Sequence, residues 1–156
     1  MKIKTSMIPA LTLAVAITTA AHADDDTTHA AYESVVGFND SFNEYAATYN
    51  IEGLVALYDE DAYWIAPDAF PAQGRDGVPR QTITFMATNQ GKLTHTIDDV
   101  FISDDGTQAV LVGVTAASVE SQGFAFEGTY VYVLERENEA DPWQVVVDMY
   151  NNHPTE

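Results

Sequence analysis

Gln108-Ala109-Val110-Leu111-Val112-Gly113-Val114-Thr115-Ala116-Ala117-Ser118 decides how the rest of the chain is read. Val110, Val112 and Val114 alternate with Ala109, Leu111 and Gly113, so an extended segment here is apolar on both faces, and residues 108–118 are expected to form a central strand. The period of two continues on either side. Residues 93–103, 124–135 and 143–151 also read as strands, parted by Asp104-Asp105-Gly106, Ser121-Gln122-Gly123 and a longer turn ending at Pro142. Connections that short join strands as an antiparallel meander.

Upstream the period becomes helical. Val35, Phe38, Phe42, Tyr45 and Tyr49 recur at steps of three and four and form one apolar stripe, while Glu33, Asn39, Asp40, Asn43 and Glu44 are expected to face water. Asn50 is placed to cap a second, short helix whose apolar side is Leu54, Val55, Leu57 and Tyr58, ended by Asp59-Glu60-Asp61. Residues 62–66 read as a brief strand stopped by Pro67, and residues 68–74 as a loop. A third helix follows, with Asp76 as N-cap, Pro79 in its first turn and Gly91 closing it. The expected fold is α+β: three N-terminal helices packed on a curved, mostly antiparallel sheet that leaves a wedge open at one end for a small ligand.

The first residues read as an address and not as part of that fold. Lys2 and Lys4 precede an apolar run from Met7 to Ile17, shorter than the roughly 20 residues of a membrane helix, and small residues lead to Ala21-His22-Ala23. Residues 1–23 are therefore expected to be a signal peptide and residues 24–156 a single domain in the periplasm or secreted, with no membrane association once the signal is removed. Residues 1–23 hold two of the six basic residues and none of the 24 acidic ones, so the remainder carries four cations against 24 anions, a formal charge of −20. A surface of that sign repels phosphate backbones, which excludes nucleic acid as a partner. The chain has no cysteine, so disulfides, thiolate metal sites and a cysteine nucleophile are excluded.

The element order, with Asn50-Ile51-Glu52-Gly53-Leu54-Val55-Ala56-Leu57-Tyr58, Asp61-Ala62, the Pro67 loop, Gly74-Arg75-Asp76-Gly77-Val78 and Trp143-Gln144-Val145-Val146-Val147-Asp148-Met149-Tyr150-Asn151, resembles the SnoaL-like branch of the NTF2-like superfamily, relatives of ketosteroid isomerase. The resemblance spans nearly all of residues 24–156 and implies a cone-shaped domain with a pocket, often dimeric through the outer sheet face. Fold alone does not assign an activity. In the steroid isomerases a general-base aspartate precedes a proline after the first strand, and Ala66 stands there in this chain. The oxyanion-hole tyrosine of the first helix is matched by Phe42, and the protonated aspartate falls near Tyr130. Without the base and at least one donor, steroid isomerase activity is not expected.

Asp148 is the leading candidate for chemistry. Val146, Asp148, Tyr150 and Asn152 share one strand face, and the resemblance turns that face into the cone. A carboxyl held among rings has a raised pKa and can act as general acid or base; the alternative is an ionised aspartate bonded to a neighbour. Asp68, just past Pro67, would serve if its loop curled inward, although turn chemistry accounts for it equally well. His95 would make an acid/base pair beside Asp148, or face solvent at its strand end. Trp64, Phe42, Tyr130, Tyr150 and Asn152 are the expected ligand-binding residues, Trp64 being preferred to Tyr63 for the inward position.

No metal-ligand spacing, nucleophile elbow, phosphate loop or dinucleotide fingerprint occurs, so neither a metal nor a cofactor is expected. Three readings stand: an exported domain that binds a small, mostly apolar molecule, an enzyme of proton-transfer type using Asp148, and a structural homodimer with a vestigial pocket.

Overall fold

In the computed structural model, which describes residues 23–154, helices α1 (Ala23–Ala47) and α2 (Ile51–Ala56) lead into β1 (Tyr58–Ile65). The short β2 (Ala72–Gln73), helix α3 (Val78–Thr88), and strands β3 (Lys92–Ile102), β4 (Gln108–Val119), β5 (Phe124–Glu135) and β6 (Gln144–Tyr150) come next. The expected signal segment lies outside the described residues except for Ala23, which opens α1. No described helix is long and apolar enough to cross a membrane.

The strands form one six-stranded sheet in the order β2-β1-β6-β5-β4-β3. β3 to β6 are the antiparallel meander that the period of two and the short turns dictate, and β1 pairs parallel with β6. β4 lies between β3 and β5. Its alternate residues Ala109, Leu111, Ala117 and Val119 are buried under the helices, whereas Val110, Val112 and Val114 are half-buried on the outer face. Val35, Phe38 and Phe42 of α1 press on that inner face, and with Leu54, Val55, Leu134 and Val145 they make the main core.

Four expectations about the helices and their ends need correction. Tyr49 does not extend the helical stripe: α1 ends at Ala47, and Tyr49 sits in the turn at φ 56°. Asn39 and Asn43 are not on the wet face, because both side chains reach across to the His95 backbone of β3. Tyr58 is not the last residue of α2 but the first of β1, which is eight residues long and contains Asp59-Glu60-Asp61. Gly77, not Asp76, stands at the N-cap of α3; the Asp76 carboxylate instead accepts from Arg80 Nε at 2.8 Å.

Two irregularities in the sheet set the paths of β1 and β6. The β1–β6 register slips between Tyr58 and Tyr63, and Arg75 Nη1 donates to the Tyr58 carbonyl at 3.0 Å. A second slip lies between Val133 and Leu134, opposite residues 145–147 of β6. It resets the face of β6: Val145, not Val146, enters the core, while Asp148 still turns inward.

Candidate functional site

Where the helices no longer cover the concave face, the cone holds a cavity of about 130 Å³. Its wall is mostly rings. Phe42 comes from α1, Trp64 from β1, Phe126, Tyr130 and Tyr132 from β5, and Tyr150 from β6. Phe85 of α3 and Phe124 of β5 are partly exposed lining residues. No lysine or arginine is among the described lining residues, so nothing on this wall favours an anion.

Asp148 is on that wall and 3% exposed. The Tyr58 hydroxyl donates to Asp148 Oδ2 at 2.8 Å, and 3.1 Å separates it from the Tyr132 hydroxyl. With the Tyr58 proton engaged, Tyr132 donates to Tyr58, giving a relay Tyr132 to Tyr58 to Asp148. Asp148 Oδ1 accepts no hydrogen bond among the described residues and is not sealed off, so it faces the cavity. Burial pushes the carboxyl up to about 7, while the Tyr58 hydrogen bond opposes the rise. Burial, and then the Asp148 charge, push Tyr58 and Tyr132 well above their ordinary range, so both remain protonated donors.

His95 is buried on the same wall, between Phe42 at 4.0 Å and Tyr130 at 4.2 Å, with both rings stacked on its faces. Burial pushes its pKa down to about 3, so the imidazole is neutral. No hydrogen bond joins it to Asp148 among the described residues, so the expected acid/base pair does not form.

Phe42, Trp64, Tyr130, Tyr150, Asp148 and His95 thus meet at one cavity, and Tyr63 points outward as expected. Asp68 does not join them: it is exposed, at φ 55°, in the turn after Pro67. Nor does Asn152, which is exposed beyond the end of β6, off the cavity wall. Tyr58, the residue that holds Asp148, was hidden by the helical reading of its segment; the only signal was the branched and aromatic content resuming after it. The Tyr130 hydroxyl is engaged, donating to the Thr96 carbonyl at 3.1 Å. That contact exists because β3 presses onto β4 at Gly113, where a Cβ would lie 1.8 Å from the Thr96 oxygen. Among the described residues, no three His, Asp or Glu side chains gather to hold a metal ion.

The profile of the SnoaL-like domain family matches residues 35–139. No curated protein matches the sequence. Among solved structures, the fold is similar to a candidate scytalone dehydratase from Novosphingobium aromaticivorans, with a TM-score of 0.69 and 19% identity over 85% of this chain and 90% of that one. It is also similar to an NTF2-like protein of unknown function from Shewanella oneidensis, with a TM-score of 0.61 and 16% identity over 77% and 98%. A candidate dehydratase of the NTF2-like family from Streptomyces avermitilis gives a TM-score of 0.62 and 15% identity over 81% and 99%. At these identities the likeness concerns the fold.

Proposed function

The chain belongs to the SnoaL-like domain family, and from that premise we propose that it holds a small, mostly apolar molecule in the cone and exchanges a proton with it at Asp148. The observation that carries this reading is the placement of one carboxyl. Asp148 is anchored at Oδ2 by Tyr58, open to an aromatic cavity at Oδ1, and raised by burial to about 7, where a carboxyl both gives and takes a proton near neutral pH. Tyr58 and Tyr132 hold that carboxyl in place and buffer its change of charge. The volume decides the ligand's size, since a cavity of roughly 150 Å³ admits one benzene ring, and about 130 Å³ suits one ring better than four fused ones.

Carbon-detected NMR of the Asp148 carboxyl tests the reading. A midpoint near 7 is expected, and a titration in the ordinary carboxylate range near 4 would remove the proton-transfer step. Binding without turnover is the second reading, favoured by the commitment of both the Tyr58 and Tyr132 hydroxyls to the carboxyl relay. It gains if Asp148→Asn binds one-ring compounds as the parent does and the parent leaves them unchanged.

Export and dimerisation belong to the same proposal. The basic start, short apolar run and small residues before Asp24 support a signal peptide and a periplasmic or secreted protein. The half-buried outer residues Val110, Val112, Val114, Val131, Val133 and Val147 support a homodimer through the outer sheet face.

A further inference from the structure

Beside Asp148, the cone wall carries two buried polar side chains that make no hydrogen bond to protein among the described residues. Thr115 and His95 are directly opposed in the β3–β4 register and lie on the same face, both almost fully buried and both on the cavity wall. The Thr115 hydroxyl makes no hydrogen bond among the described residues and is not sealed, so it opens to the cavity. His95 is fixed at its backbone and on both ring faces. Asn43 donates from Nδ2 to the His95 carbonyl at 2.8 Å and accepts from the His95 N–H at 2.8 Å, while the stacked rings of Phe42 and Tyr130 leave only the imidazole edge free.

The two edge nitrogens differ. Nδ1 is sealed in protein with no partner, whereas Nε2, also without a protein partner, keeps contact with the cavity. A neutral imidazole has one N–H. Nδ1 stays unpaired in either tautomer, and an orphaned buried N–H is rarer than an unpaired acceptor, so the proton is placed on Nε2, directed at the ligand space.

We propose that His95 is the specificity-determining donor of the cone: its Nε2–H, with the Thr115 hydroxyl beside it, receives the acceptor oxygen of an uncharged one-ring ligand whose ring rests on the aromatic wall. The assignment depends on the proposed function for the place of the ligand, and not for the proton step at Asp148. It excludes two other classes. A carboxylate would find no lysine or arginine among the described wall residues, and an ammonium group at His95 would meet a donor where it needs an acceptor, so long as the Asp148 carboxyl across the wall is protonated.

Three compounds of nearly one shape separate the possibilities: acetophenone carries the oxygen, isopropylbenzene replaces it with methyl, and 1-phenylethylammonium replaces it with a cation. Titrated into the protein and followed by NMR, acetophenone is expected to bind about fivefold to tenfold tighter than isopropylbenzene, the difference one neutral hydrogen bond makes. At pH 5, where the Asp148 carboxyl is protonated, the ammonium compound is expected to bind weakest. His95→Phe keeps a ring in the slot and should abolish the preference, bringing acetophenone and isopropylbenzene to equal affinity. Imidazole ¹⁵N spectra of the unmodified protein give the same answer without a variant, with the proton on Nε2 and its signal moving with acetophenone but not with isopropylbenzene. Equal affinities, a proton on Nδ1, a preference that survives His95→Phe, or the ammonium compound binding best would each overturn the assignment. Failure of all three compounds to bind would overturn it together with the ligand site. An ordinary Asp148 titration would remove only the proton exchange and leave the His95 donor standing.

Discussion

The β4–β5 pair and the β1–β6 pair belong to one sheet and are built differently. Twelve consecutive residue pairs join β4 to β5 without a slip, from Gln108 opposite Glu135 to Val119 opposite Phe124. Between β1 and β6 the ladder breaks after Tyr58 and resumes at Tyr63, and β6 slips again on its other side. An unbroken ladder alternates faces with strict period two, so it sends one set of side chains to the core and the other outward. A broken ladder re-aims single residues. Here it brings the Tyr58 hydroxyl to Asp148 and turns that carboxyl into the cone. The regular pair builds the wall, and the irregular pair supplies the group that ionises.

If that division holds, the largest effect comes from removing the ionisable group. Asp148 is raised to about 7 in the fold, against about 3.9 in an unfolded chain. The folded form therefore holds its proton more tightly. The associated stability is fully present below pH 4 and is lost as pH rises through 7, by about 4 kcal/mol at most. Asp148→Asn has no proton to lose. The difference in unfolding free energy, variant minus parent, should grow by up to that amount between pH 4 and pH 8 in urea titrations. All other carboxylates, and His95, are common to both proteins and cancel. A difference that stays flat across this range would mean that Asp148 titrates as an exposed carboxyl does.

The next effect belongs to the regular pair. Val112 lies in the middle of β4 on the outer face, and a charge placed there appears twice in a two-fold interface. Val112→Asp should weaken the proposed dimer by at least about 100-fold, since an unpaired buried charge costs about 3–5 kcal/mol, as read by sedimentation equilibrium. The Asp148 titration should not move with it. A shift in the Asp148 midpoint would couple the two regions and end the division of labour; an unchanged sedimentation profile would remove the outer-face dimer.

The same contrast explains how much of the molecule is legible in its sequence. The boundaries of β5 and the alternation of β4 were legible because hydrophobic period and turn residues agree there over twelve residues. Trp64, Phe42 and Tyr130 were legible as inward residues through strand alternation and one helical stripe, whereas the inward turn of Asp148 came from the family resemblance and the pattern did not decide His95 between the cone and solvent. Tyr58 was not legible. It follows Leu54, Val55 and Leu57 at helical spacing, and only the tertiary pairing of Val145 N–H with the Leu57 carbonyl at 2.8 Å ends the helix before it. Val146 was assigned to the wrong face because a slip between neighbouring strands leaves no mark in the period of either one. Asp68 and Asn152 failed differently: Asp68 depended on its loop curling inward, and it sits instead in an exposed turn at φ 55°, while Asn152 was placed by alternation from Asp148 and lies exposed past the end of β6, where the Asn151 and His153 N–H groups still bond to β5.

The finest test of the comparison is therefore Tyr58→Phe, which keeps the ring and removes one oxygen. Two hydrogen bonds end with it. Asp148 loses its protein donor at Oδ2, and the Tyr132 hydroxyl loses its acceptor inside the core. A stability loss of about 1–2 kcal/mol is expected, the scale of buried hydrogen bonds left unmade, measured at pH 5 where the Asp148 carboxyl is protonated in both proteins. The direction of the pKa change carries more information than that loss. The Tyr58 bond favours the ionised carboxyl and so holds the midpoint down against burial. Its removal should move the Asp148 midpoint above 7, extending to higher pH the window in which stability falls. A midpoint that drops would mean that water reaches the carboxyl once the hydroxyl is gone, and that the break in the β1–β6 ladder serves to exclude solvent and not to tune the acid.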